Sequence, residues 1–117
     1  MATPEHNIQN EIRNALAGRC ILFSANVGQA WTGVVTERDT GCVTLANARP
    51  FSTGLPAGFP DLFGVTLAGR FLAIEVKSPK GKSTEAQENF RAAILKAGGR
   101  AGVARSVAEA LAILEMP

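Results

Sequence analysis

Gly58-Phe59-Pro60-Asp61-Leu62-Phe63-Gly64-Val65-Thr66-Leu67-Ala68-Gly69-Arg70-Phe71-Leu72-Ala73-Ile74-Glu75-Val76-Lys77 is the stretch that decides the fold. Two apolar runs, Asp61 to about Leu67 and Phe71 to Lys77, flank Ala68-Gly69, which suits a turn. The pair therefore reads as a β-hairpin. Opposed residues of an antiparallel pair have a constant sum of residue numbers. A turn centred on Ala68 sets Asp61 across from Glu75, and a slip of one residue sets it across from Lys77 or its neighbour. Side chains alternate along a strand, so Glu75 and Lys77 share a face, and neighbouring strands run about 4.8 Å apart. The spacing gathers two carboxylates and an ammonium.

Phe71-Leu72-Ala73-Ile74 is apolar without alternation, the pattern of a strand covered on both faces. Ending such a strand in Glu75 and Lys77 costs free energy unless the charges meet partners or a cation. Two carboxylates, with water and a substrate phosphate, form a usual Mg²⁺ shell. Such an ion polarises a phosphoryl oxygen and makes bound water more nucleophilic. A neighbouring lysine orients that water and offsets charge on the phosphate. The same residues also fit a plainer arrangement. Glu-x-Lys is a common solvated pair worth about 0–1 kcal/mol, and Pro-Asp is a common turn dipeptide. Short patterns recur by chance, so the rest of the chain must decide.

Ser78-Pro79-Lys80-Gly81-Lys82-Ser83 is a basic loop leading into a helix from about Thr84 to Ala97, which stops at Gly98-Gly99. Its apolar stripe is Ala86, Phe90, Ala93, Ile94 and Ala97. Gln87 falls on that inward side, and Thr84-x-x-Gln87 equally fits a capping box. A helix at the start of the chain has Thr3 as N-cap, Pro4 at its first position and an end near Ala17. Ile8, Ile12, Ala15 and Leu16 form its buried stripe. Glu5 projects near that stripe and Glu11 away from it, although an acid in a first turn is also favourable for the helix dipole alone.

Taken in order, Glu5-His6-Asn7-Ile8-Gln9, Asn26-Val27-Gly28, Gly58-Phe59-Pro60-Asp61-Leu62, Ile74-Glu75-Val76-Lys77, Gly81-Lys82-Ser83 and Gln87 resemble the VRR-NUC domain family over nearly the whole chain. Pro60-Asp61 with Glu75-x-Lys77 is similar to the PD-(D/E)xK nuclease signature. The resemblance implies an α/β, restriction-endonuclease-like fold, a central mixed β-sheet flanked by helices, and a Mg²⁺- or Mn²⁺-dependent DNA endonuclease. It implies Asp61, Glu75 and the Val76 carbonyl as metal ligands, Lys77 as the catalytic lysine, and Glu5 and Gln87 as polar groups completing the site. Stand-alone members are similar to phage and bacterial nucleases that cut branched DNA such as Holliday junctions. No family motif is recognised from Gly33 to Ala57, and substrate preference stays open there.

The chain has 117 residues, enough for a single domain spanning 1–117, and a formal charge of +2. No basic, apolar leader or membrane-length run is present, which gives a cytoplasmic expectation in a bacterium or phage-infected cell. Cys20 and Cys42 lack metal spacing and are expected to be buried, reduced thiols. The single histidine, His6, leaves no zinc set or nucleophilic triad, and Gly98-Gly99 opens no phosphate-binding helix, so no small-molecule cofactor is expected. Arg70, Lys80, Lys82 and Arg91, with Asn26, are the candidate DNA contacts, either as a basic face around the site or as solvated charges. No helix-turn-helix, zinc finger or basic zipper is present, so backbone and shape would guide recognition.

Gly33-Val34-Val35-Thr36 and Cys42-Val43-Thr44-Leu45 flank Glu37-Arg38-Asp39-Thr40-Gly41 as a hairpin. Pro50, Ser52, Thr53, Gly54, Pro56, Gly58 and Pro60 then make a long loop, a place for a substrate-contacting arm. Trp31 fits stacking on an unpaired base, or bulk in a core or subunit interface. Gly102-Val103-Ala104 reads as a strand. Ser106-x-x-Glu109 caps a final helix carrying Ala110, Leu111 and Leu114. Paired cuts on a symmetric junction favour a homodimer. The alternatives are a noncatalytic DNA-binding module of the same fold, or an RNA endonuclease or exonuclease with the same site.

Overall fold

The computed structural model describes residues 3–25 and 29–117. Its elements in chain order are α1 (Pro4–Leu16), β1 (Cys20–Ser24), β2 (Gln29–Asp39), β3 (Cys42–Ser52), β4 (Leu62–Thr66), β5 (Phe71–Val76), α2 (Glu85–Lys96), β6 (Arg100–Ala104) and α3 (Val107–Leu114). They fall into two compact units, Met1–Ala25 with Ala57–Pro117, and Asn26–Pro56.

The first unit carries a four-stranded sheet in the order β1-β4-β5-β6. β1 and β5 both lie antiparallel to β4, whereas β6 is parallel to β5. The parallel pair needs a crossover, and α2 supplies it. β5 is thus central and covered on both faces, which explains its unbroken apolar run: Leu72, Ala73, Ile74, Glu75 and Val76 are all buried. On one face Leu72, Ile74 and Val76 join Leu62, Ile12 and Leu16 of α1, and Ala110 and Ile113 of α3. Each large aliphatic there contributes about 1.5–3 kcal/mol by burial. On the other face Phe63 packs near Phe23, Phe59 and Phe71, and Phe59 reaches Phe90 of α2 with ring centroids 5.4 Å apart.

All three helices start where a side chain satisfies an otherwise unpaired first-turn N–H. Thr3 Oγ1 accepts from His6 N, Thr84 Oγ1 from Gln87 N and Ser106 Oγ from Glu109 N. Ile113, which the sequence reading leaves out of the apolar face of α3, is buried, whereas Ala93 and Ala97 of the α2 stripe are exposed. No helix among the described residues is long and apolar enough to cross a membrane.

The second unit corrects the sequence reading. Its hairpin is longer than expected: Glu37–Asp39 belong to β2, only Thr40-Gly41 turns, and β3 continues through Pro50 to Ser52. Pro50 lies opposite Trp31. A two-stranded ribbon has an unpaired edge on each strand, where a residue without an N–H is tolerated. Register shifts at Thr32/Val34 and Val35/Glu37 bend the ribbon, and Asn47 takes φ 54°. Trp31 is 67% exposed rather than core, and Cys42 is exposed rather than buried; Cys20 is buried, which pushes its thiol pKa up.

Two glycines with the same backbone sign separate conformational from steric demand. Gly58 (φ 84°) and Gly69 (φ 82°) both need the left-handed region, but only Gly58 lies on another element. A Cβ there would run into the Ala86 carbonyl and stand 2.9 Å from Gln87 N, while one at Gly69 meets nothing. Gly69→Ala should therefore cost about 1–2 kcal/mol from the backbone alone. Gly58→Ala should cost clearly more, because α2 must shift as well. Urea unfolding midpoints of the two variants check this; equal losses would contradict the packing of the Gly58 loop on α2.

Candidate active site

Asp61 lies one residue before β4. The ladder pairs Leu62 with Ile74 and Phe63 with Ala73, so one further step sets Asp61 across from Glu75 and settles the register left open by sequence. The Asp61 main chain is tied to β1 by Ala25 N, which donates to its carbonyl at 2.9 Å. Its side chain takes the place of a backbone partner: Oδ2 accepts from Val76 N at 2.9 Å.

Glu75 is 3% exposed. Its Oε1 accepts from Gln87 Nε2 at 2.9 Å, and Lys77 Nζ stands 4.0 Å from the same oxygen. Gln87 meets both sequence expectations at once. Its Oε1 accepts from Thr84 N at 2.9 Å, closing a capping box at the start of α2, while its Nε2 orients Glu75. Lys77 leaves the end of β5, where its N–H donates to the Ala104 carbonyl at 3.1 Å.

That bond fixes the neighbouring carbonyl. In a trans peptide the C=O and N–H point in opposite directions, so the Val76 carbonyl points away from β6 and toward the Asp61 side. The residue that the β4–β5 register places opposite Val76 is Pro60, which has no N–H to offer. Two carboxylates and a backbone carbonyl with no ladder donor opposite it are therefore offered by the Pro60-Asp61 and Glu75-Val76 segments. This all-oxygen set suits a hard divalent cation such as Mg²⁺ or Mn²⁺. Among the described residues no group of three or more His, Cys, Asp and Glu side chains gathers.

Electrostatics point the same way. The pKa of Glu75 is pushed up to about 8, first by burial, then by its hydrogen bond to the Asp61 carboxyl and the charge there; Lys77 and Arg91 pull it back down. A carboxyl that retains a proton near neutrality, beside a second carboxyl, is short of positive charge. A divalent ion would supply it and release the proton.

The other sequence candidates are placed unevenly. Arg91 lies one helical turn beyond Gln87, with Nη1 buried and without a hydrogen-bond partner among the described residues. Lys80 and Lys82 are exposed on the loop after Lys77. Arg70 sits at the opposite end of β5 from Glu75, roughly 17 Å along the strand, where its Nη1 donates to the Gly98 carbonyl. Glu5 is half-buried in the first turn of α1. Asn26 lies outside the described residues. A cleft bordered by Asn10, Arg13 and Cys20 opens on the α1 side of the sheet, away from Glu75. The sequence reading misses Arg105, whose Nη2 donates to the Gly81 carbonyl at 2.7 Å, because no local pattern links residues 24 positions apart.

The chain matches the VRR-NUC domain family over residues 43–108, more than half of its length. That stretch holds Asp61, Glu75, Lys77 and Gln87 and leaves Glu5 and Asn26 outside. The mixed sheet and three helices correspond to the restriction-endonuclease-like fold of that family. No curated protein and no solved structure gives a significant match to the chain.

The raised Glu75 pKa has a direct consequence for metal-free protein. The folded state holds this proton more tightly than the unfolded chain, whose reference value is 4.5. Its contribution to stability is thus complete below that value and is lost as pH rises through about 8. In EDTA, the thermal midpoint should fall between pH 6 and pH 9, and Glu75→Gln should flatten that fall. An unchanged slope in the variant would show that Glu75 is not the group responsible.

Proposed function

The chain belongs to the VRR-NUC domain family, and from the nuclease-type function which that membership carries we propose a Mg²⁺- or Mn²⁺-dependent DNA endonuclease, cutting branched DNA such as four-way junctions and working as a homodimer with residues 1–117 as one nuclease domain. The observation supporting this most directly is the convergence of Asp61, Glu75 and Lys77 across the β4–β5 pair. Asp61, Glu75 and the Val76 carbonyl would hold the cation, which when bound supplies Lewis-acid polarisation of the scissile phosphate and a more acidic water.

The protein's own groups do the rest. Lys77, 13% exposed, presents its ammonium beside Glu75 without a tight ion pair, so it is free to orient a water and to offset charge growing on the phosphate. Gln87 keeps Glu75 turned toward Asp61 by occupying one of its oxygens. Lys80 and Lys82 hold the nucleic-acid backbone near the site by charge alone, which favours shape over base sequence. Trp31, exposed on the β2–β3 ribbon, offers a stacking surface for an unpaired base. Glu5, half-buried in the first turn of α1, would complete the site as a further polar group.

An EDTA-controlled digest of duplex, flap, single-stranded and four-way DNA tests the proposal. Wild-type protein should cut with Mg²⁺ or Mn²⁺, with the four-way substrate preferred. Asp61→Ala and Lys77→Ala should each lower the cleavage rate by about 10²-fold or more and leave DNA affinity within a few-fold. Retained metal-dependent cutting by both variants would overturn the assignment. Binding without cleavage of any DNA would favour a noncatalytic module, and preferential cutting of RNA in a parallel digest would reassign the substrate.

The homodimer is tested separately by sedimentation at micromolar protein. A mass of about twice the 12.3 kDa chain is expected, and a monomer throughout would contradict it.

A further inference from the structure

β5 and β6 run parallel with Val76 beside Ala104, so the next residues, Lys77 and Arg105, leave the two strands side by side. Strand alternation puts them on the same face, where two cations repel. Each has a separate partner. Lys77 stands near Glu75, whereas Arg105 Nη2 donates to the Gly81 carbonyl at 2.7 Å and Arg105 N donates to Glu109 Oε1 at 2.7 Å.

Gly81 closes a bend that begins at Ser78, its N–H donating to the Ser78 carbonyl at 3.0 Å. A Cβ on Gly81 would stand 3.4 Å from both Cβ and Cδ of Lys77, and 3.2 Å from Ser78 Oγ. The Gly81 backbone is therefore laid along the Lys77 stem, close enough that a side chain there would touch it. The bond holding it there is charge-assisted and part-buried, the stronger kind.

We propose that Arg105 is a positioning residue for Lys77. By gripping the Gly81 carbonyl it pins the 78–83 bend against the lysine stem, and so fixes where the ammonium stands relative to Asp61 and Glu75. The catalytic consequence rests on the nuclease reading; the placement of Lys77 does not.

The test uses the full chain with Arg105→Met, which keeps the stem and removes the donors, and Arg105→Lys, which restores a cationic donor. Acetylation of Lys77 by an N-hydroxysuccinimide ester, followed by peptide mass spectrometry, is compared with exposed Lys96 in the same sample. Arg105→Met should speed Lys77 labelling about threefold or more and hasten amide exchange at Gly81, with Lys96 unchanged and Arg105→Lys in between. Gly81→Ala, which leaves Arg105 intact and sets a methyl against the lysine stem, should also alter Lys77 labelling, and it serves if Arg105→Met folds poorly. Labelling and exchange unchanged in folded variants would overturn the proposal. In cleavage assays kcat should drop about tenfold with KM for DNA within twofold. Wild-type activity with an unaffected kcat would remove the catalytic part. A wild type inactive on every substrate would sink the nuclease reading, while the labelling rates would still decide whether Arg105 places Lys77.

Discussion

A carboxyl at the end of a strand covered on both faces is the constraint around which this molecule is organised. Glu75 continues the buried run of β5, and burying an unpaired carboxylate costs several kcal/mol. The protein does not neutralise it with a tight salt bridge. It supplies one amide hydrogen bond from Gln87, a second carboxyl from Asp61 and two cations that influence it from a distance. These partners come from three elements, so the carboxyl fixes how β4, β5 and α2 must meet. Gly58, which brings the Asp61 segment onto the backbone of α2, belongs to the same requirement.

Gln87 shows how little material this takes. A capping side chain normally ends its role at the helix terminus. Here the amide has two ends, and the end not needed for the cap reaches Glu75. Helix start and site orientation are therefore one interaction, and α2 cannot be displaced without releasing the carboxyl. The Pro60 position follows similar logic. A residue with an N–H would offer the Val76 carbonyl an ordinary ladder partner, whereas proline offers it none.

What the sequence reveals about this arrangement follows the range of each interaction. The Asp61–Glu75 register is legible because a short turn fixes a local sum, and the helix starts are legible because Thr3, Thr84 and Ser106 cap within three residues. The β2–β3 ribbon is underestimated because Pro50 and Ser52 resemble loop residues, and composition does not say that both strands are edges. Cys42 is misread for a related reason: thiols are usually buried, but this one starts a strand of a two-stranded ribbon whose side chains are mostly exposed. Arg70 looks close to the site in sequence, yet a strand moves the chain about 3.3 Å per residue and carries Glu75 away from it. Arg105 is invisible for the opposite reason, being distant in sequence and adjacent only because β6 returns parallel to β5.

The division of labour between Gln87 and Lys77 explains why the site keeps both. The two donors approach the same Glu75 oxygen, one at 2.9 Å and the other at 4.0 Å. Had the ammonium taken the short bond, it would be committed to a partly desolvated ion pair, and much of its charge would be cancelled by the carboxylate. With a neutral amide in that place, Glu75 is oriented without consuming a cation. The lysine then remains within Coulomb reach of the carboxylates, held by its backbone bond to β6 and by the Gly81 bend along its stem. An ammonium placed this way retains donors for groups that arrive from solution.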